Sequence, residues 1–206
     1  MSKIKLTYFD IDGGRAEPTR IAMSIAGIEF EDCRISFQQF REMRAGMPLN
    51  AVPTVEIDGV VYTQCNAMNR YFGKKAGLYP SDPWQGFLCD EVLEIMEDMF
   101  QALSLSFGLE GEELKRARTE LTDGMYTRCL KLLDKRLEAA GGEYFAEHRF
   151  TVADLKVYVW TKRLKSGGLD HVPADLPDRV APRLVQHMER VAAQPGVVAY
   201  YAGRRG

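Results

Sequence analysis

The 206-residue chain is long enough to bury one large hydrophobic core or two smaller ones. Hydrophobic residues make up 46% and charged residues 27%, a globular composition that excludes a disordered chain. A formal net charge of −2 supplies no broad positive field, so neither nucleic acid nor an anionic membrane is an expected partner.

Residues 4–9 are a compact strand candidate. Residues 16–26 place Ile21, Ala22, Ile25 and Ala26 on a helical period that Gly27 closes. Residues 28–35 return as a strand, so the opening reads as a βαβ unit with parallel strands and a right-handed crossover. A polar helical stretch covers residues 37–45. Residues 53–62 then read as a hairpin, with strands at 54–57 and 60–62 about an Asp58-Gly59 turn. A third helix is expected over residues 65–75. The order βαβ then ββα builds a four-stranded mixed sheet with helices, too small for a full doubly wound domain.

Residues 77–83, GLYPSDP, are dense in turn formers and form the expected linker between a first domain at 1–76 and a second at 84–206. Everything beyond reads as helix. Val92, Ile95, Met96, Met99, Phe100, Leu103 and Phe107 recur at i, i+3 and i+4, and Leu114, Ala117, Leu121, Leu130, Leu133 and Leu137 form a second stripe. Two long bundle helices fit. Thr151 and Asp154 have capping-box spacing and start a helix running through Trp160, in a cap worth about 1 kcal/mol. Further helices are expected at 181–193 and 197–202.

Cys33, Cys65, Cys89 and Cys129 are widely spaced and form no CxxC pair, so they read as reduced thiols. His148, His171 and His187 lack metal-ligand spacing and read as surface or capping residues; no metal is expected. No run approaches the roughly 18 apolar residues of a membrane span, and the opening lacks a signal-peptide pattern, so the expected compartment is the cytoplasm.

Four local strings narrow the choice of function. Leu6-Thr7-Tyr8-Phe9 ends the first strand and Gly14-Arg15-Ala16-Glu17 opens the first helix. Val52-Pro53 precedes the hairpin, and Gln64-Cys65-Asn66-Ala67 opens the third helix. In this order and spacing they resemble the glutathione transferase family, most closely its sigma class, which includes haematopoietic prostaglandin D synthases. The resemblance extends over essentially the whole chain. It implies an α/β thioredoxin-like N-terminal domain, an all-α C-terminal bundle, a homodimer, and glutathione as co-substrate bound mainly by the first domain.

The resemblance also assigns roles. Tyr8 would donate a hydrogen bond to the glutathione sulfur, and Arg15 would support the thiolate. A free thiol has a pKa of about 8.5. A hydrogen bond to a charged group, worth roughly 1.5 to 3 kcal/mol, would lower that by roughly 1 to 2 units. By position alone, Tyr8 is also an ordinary strand tyrosine packed at a domain face. Val52 and Pro53 resemble the cis-proline turn against which the cysteinyl part would pair as an added strand; a trans proline starting a strand is the alternative. Gln64 and Cys65 would offer helix N-terminal N–H groups to the γ-glutamyl carboxylate.

There are departures from the family's pattern. Cys65 stands where serine is usual; a thiol is a poorer donor, and at a helix N-terminus its thiolate would repel the carboxylate. Phe40 stands where tryptophan is frequent, and Ala51 where Gln or Lys is common. Arg44 aligns with a basic residue that contacts the glycine carboxylate, and Asp98 with an acidic residue that crosses the dimer interface to the partner's glutathione. Met99, Leu103 and Phe107 are the expected lining of the hydrophobic-substrate site. The leading expectation is attack by glutathione thiolate on a small hydrophobic electrophile. A glutathione-dependent isomerase or peroxidase, or a ligand-binding or crystallin-like relative, are the alternatives. A disulfide oxidoreductase ranks last because no cysteine occupies the first strand-to-helix turn.

Overall fold

Strand β1 (Ile4–Phe9) buries Leu6 and Tyr8 and is central in a sheet of order β2-β1-β3-β4. The computed structural model describes residues 2–204, so Met1, Arg205 and Gly206, at the limits of the expected domains, lie outside the described residues. Strand β2 (Glu31–Ile35) runs parallel to β1, with Tyr8 opposite Arg34. Strand β3 (Thr54–Ile57) is antiparallel to β1, and β4 (Val60–Tyr62) is antiparallel to β3. The sheet is the mixed four-stranded βαβ-ββα arrangement of a thioredoxin-like domain. Strand β2 starts three residues later than the sequence suggests, because the Ile28 N–H donates to Met23 O and closes the end of helix α1 (Glu17–Ile25).

Helix α2 (Phe37–Met43) is capped reciprocally by Ser36 and Gln39, and two short 3₁₀ turns carry the chain to Asn50. Helix α3 (Cys65–Lys75) packs against α1, where the buried Thr19 hydroxyl donates to Asn69 Oδ1 at 2.7 Å.

The rest of the chain is helical. Asp82 caps α4 (Pro83–Ser104) by accepting from the Gln85 N–H at 2.9 Å. The second apolar stripe is one helical run in three parts: α5 (Gly111–Leu121), a wide π turn at Thr122–Tyr126, and α6 (Thr127–Ala139). The extra residue in that turn rotates the stripe and brings Tyr126 fully inside. Helix α7 (Val152–Lys165) is buried on nearly every side, the position expected of a helix apolar all round. The Asp154 carboxylate accepts from both the N–H and the O–H of Thr151, at 2.8 and 2.7 Å. It also accepts from Phe145 N–H and pairs with His187 Nε2, so His187 is a core residue and not a surface one.

Short helix α8 (Leu176–Val180) has no counterpart in the sequence reading; α9 (Pro182–Ala192) and α10 (Pro195–Gly203) follow. Helix α10 returns to α1, where fully buried Glu17 takes Arg20 at 3.3 Å, the Tyr200 O–H at 3.2 Å and Arg204 at 3.0 Å. Among the described residues, no helix is long and apolar enough to cross a membrane.

Candidate active site

Tyr8, one residue before the end of β1, is 2% exposed. Beyond it the chain turns through Gly13 and Gly14, both at positive φ, and brings the Arg15 N–H back to donate to Tyr8 Oη at 3.2 Å. Burial pushes the Tyr8 phenol above its ordinary value, and the Arg15 N–H and charge offset that only in part. The group is therefore a protonated phenol at neutral pH, with one lone pair engaged. Among the described residues its own O–H donates to nothing.

Arg15 is held from the helical half. Its Nε donates to Glu97 Oε1 at 2.7 Å, and its guanidinium lies 4.0 Å from the centre of the Phe100 ring. Among the described residues its buried Nη2 has no partner. The other Glu97 oxygen accepts from Lys156 Nζ at 2.9 Å and from the Cys65 thiol at 3.0 Å. Burial would raise the Glu97 carboxyl, but Lys156, the Cys65 thiol and Arg15 outweigh it and hold the group below its ordinary value.

Cys65 corrects one expectation. Burial, helped by the Glu97 charge, pushes its thiol up to about 11 despite the nearby Lys156. It is a neutral donor into Glu97, and no thiolate stands at the head of α3 to repel a carboxylate. Gln64, which precedes α3, has φ of 74° and makes no side-chain cap, so first-turn N–H groups of the helix are left open.

Beside these groups lies a cleft of about 210 Å³. The α/β half lines it with Ala51, Val52, Pro53, Gln64 and Cys65, and the Val52–Pro53 peptide is cis. Leu49, Thr63, Glu97 and Gln101 also line it, and none of these four was singled out from the sequence.

Several expected residues stand elsewhere. Phe40 packs edge-on to Phe9, their ring centres 5.2 Å apart, and exposed Arg44 donates to Asn50 O at 3.1 Å; neither lines the cleft. Asp98 is exposed on α4, outside the cleft and on the side of Cys129. Met99 and Leu103 are 0% and 2% exposed, so they are core residues without surface for a substrate, contrary to expectation. Phe107 is 57% exposed and stands edge-on to Phe100, the ring that packs against Arg15.

Glu97 escaped notice because an acidic run on a helix reads as a solvated face, and only the packing shows which member turns inward. Lys156 carried a readable signal: a lone lysine between Leu155 and Val157 in a helix apolar on all sides must find a buried partner.

Comparison with known proteins gives the same outline. The glutathione S-transferase N-terminal domain model matches residues 4–74, and the corresponding C-terminal domain model matches residues 97–204. The haematopoietic prostaglandin D synthase of Gallus gallus is 30% identical over 205 residues, covering 99% of this chain and 98% of that protein. Glutathione S-transferase 1 of Ascaris suum is 31% identical over 161 residues, 76% of this chain and 78% of that one. The solved structure of prostaglandin synthase D of Nilaparvata lugens superposes with a TM-score of 0.85 at 26% identity, covering 98% of each chain. Matched in both halves by the same family, this chain belongs to the glutathione S-transferases, enzymes with glutathione as co-substrate.

Proposed function

We propose that the protein is a sigma-like transferase in which the Tyr8 phenol donates to the glutathione sulfur and holds it as a thiolate for attack on a small hydrophobic electrophile. The observation that carries this reading is the buried Tyr8 Oη, fixed by the Arg15 N–H at 3.2 Å with its own proton unclaimed. A phenol kept protonated by burial is a donor to the thiolate and not a base. The unpartnered Nη2 of Arg15 supplies a second donor, and holding thiolate and electrophile together supplies proximity. The γ-glutamyl carboxylate docks at the open N–H groups of α3, and the cysteinyl backbone pairs along Val52 and Pro53. Phe100 and Phe107 offer the electrophile its apolar surface.

Residues 77–83 act as the linker between the two domains. The chain works as a cytoplasmic homodimer in detoxification. Support for a dimer comes from exposed apolar groups: stacked Trp84 and Phe87 on α4 stand 61% and 55% exposed, and Tyr71 on α3 stands 48% exposed. Exposed Asp98 on α4 is then available to the partner's glutathione.

Ultraviolet titration of the glutathione thiolate bound to wild type and to Tyr8→Phe tests the reading. The expected result is a thiol pKa roughly 1 to 2 units higher in the variant, with turnover of a chlorinated nitroaromatic falling in step. Equal titrations would overturn it, and retention on immobilised glutathione without turnover would favour a carrier.

A further inference from the structure

We propose that Lys156, reaching in from α7, is a positioning residue that keeps the charge of Arg15 available to the glutathione sulfur. This rests on the Tyr8 and Arg15 reading above and deepens it. Paired with Glu97 at 2.7 Å, Arg15 alone would present an almost neutral ion pair to a sulfur several ångströms away. Lys156 changes that. Its Nζ sits 2.9 Å from the second Glu97 oxygen, so two cations share one carboxylate and the trio carries a net charge of about +1.

The surroundings do not cancel that charge. Lys156 is 6% exposed, and its side chain also donates to Asn66 Oδ1 at 2.5 Å and lies 3.7 Å from the Cys65 sulfur, both neutral groups. Asn66 in turn donates to Glu94, whose charge is met by Arg70, itself shared with Asp90. From the other side Tyr8 is a neutral phenol, and Arg20 is engaged by Glu17 and Asp32. Among the described residues, Glu97 is thus the one carboxylate paired with Arg15, and Lys156 is the cation that offsets it. Glu97 also keeps Arg15 against Phe100, so the lysine lets one carboxylate orient the arginine without neutralising it.

The test uses a charge series in the full-length protein, read by ultraviolet titration of the bound glutathione thiol and by the pH profile of kcat/KM. Lys156→Met brings the trio to zero and is expected to raise the bound thiol pKa by about one unit. Lys156→Arg restores it. Glu97→Gln, at about +2, is expected to lower it below wild type. The double variant Lys156→Met with Glu97→Gln returns to about +1 and to a near-native pKa, whereas a purely structural lysine would give two accumulating defects. An unchanged pKa in Lys156→Met, alongside a raised one in Tyr8→Phe, overturns this proposal and leaves the Tyr8 reading intact. No shift in Tyr8→Phe itself overturns the reading beneath it. Should Lys156→Met fail to fold, Glu97→Gln alone decides, because a pKa that stays or rises there overturns the proposal.

Discussion

The Tyr8 hydroxyl occupies the space that a side chain on Gly14 would need: an ideal Cβ there would lie 2.7 Å from Oη. Gly14 also has φ of +70°, a conformation costing an alanine roughly 1 to 2 kcal/mol. Gly14→Ala is therefore expected to displace the phenol and to lose most of the kcat/KM lost by Tyr8→Phe, with a lower thermal midpoint. A variant with native turnover would show that the hydroxyl position is not what matters.

The ionisation of Tyr8 gives a sharper check. Its phenol lies above the ordinary value of 10.0, so it stays protonated through the neutral range and the kcat/KM profile should climb only with ionisation of the bound thiol. In the ligand-free protein, the ultraviolet difference between wild type and Tyr8→Phe should show no phenolate below pH 10. A phenolate appearing near pH 8 would make Tyr8 a base and remove the donor role.

Cys65 should be chemically quiet. With its thiol near 11 and 6% exposed, it should alkylate with iodoacetamide at pH 8 far more slowly than half-buried Cys33. Peptide mass spectrometry over time gives the ratio. Cys65→Ser installs a stronger donor and should tighten glutathione binding by up to about tenfold, the equivalent of roughly 0.5 to 1.5 kcal/mol, measured by calorimetry. A weaker affinity would mean the thiol-to-Glu97 contact is worth more than the gain.

At Gly73 helix α3 comes close to α7: a Cβ there would lie 2.5 Å from Val152 Cγ1 and 3.3 Å from Cγ2. Alanine gains about 1 kcal/mol of helix propensity over glycine, while overpacking a fully buried valine costs about 1 to 3 kcal/mol. Overpacking wins, so Gly73→Ala should unfold at lower urea concentration than wild type.

Asp154 joins Thr151, Phe145 and His187 through four hydrogen bonds in a fully buried site. Asp154→Ala leaves those groups unpaired and should cost about 3 to 5 kcal/mol. Chemical denaturation measures it, and a loss under 1 kcal/mol would mean water replaces the carboxylate.

The four strands and the longer helices were readable because their signals are local: Gly27 closes α1, Asp58-Gly59 turns the hairpin, and Thr151 with Asp154 starts α7. The site was readable only where it rests on backbone conformation. Val52, Pro53, Gln64 and Cys65 line the cleft because a turn and a helix start put them there. Contributions from α4 were misjudged, since the i, i+3, i+4 pattern says that Met99 and Leu103 share a face without saying what that face meets; it meets the core. Glu97 and Lys156 are 59 residues apart, and no local rule joins them.

The buried Glu17 draws Tyr200 of α10 and Arg204, which follows that helix, onto the helix that begins after Arg15. The turn at Arg15 leaves the ribosome long before Tyr200 and Arg204, which follow Glu17 by 183 and 187 residues, so two of the groups that satisfy this carboxylate arrive only once α10 has been made. Until then the nascent N-terminal half has, of these three groups, only Arg20 beside that charge, and a chain cut short before Tyr200 would leave its first helix unbuttressed.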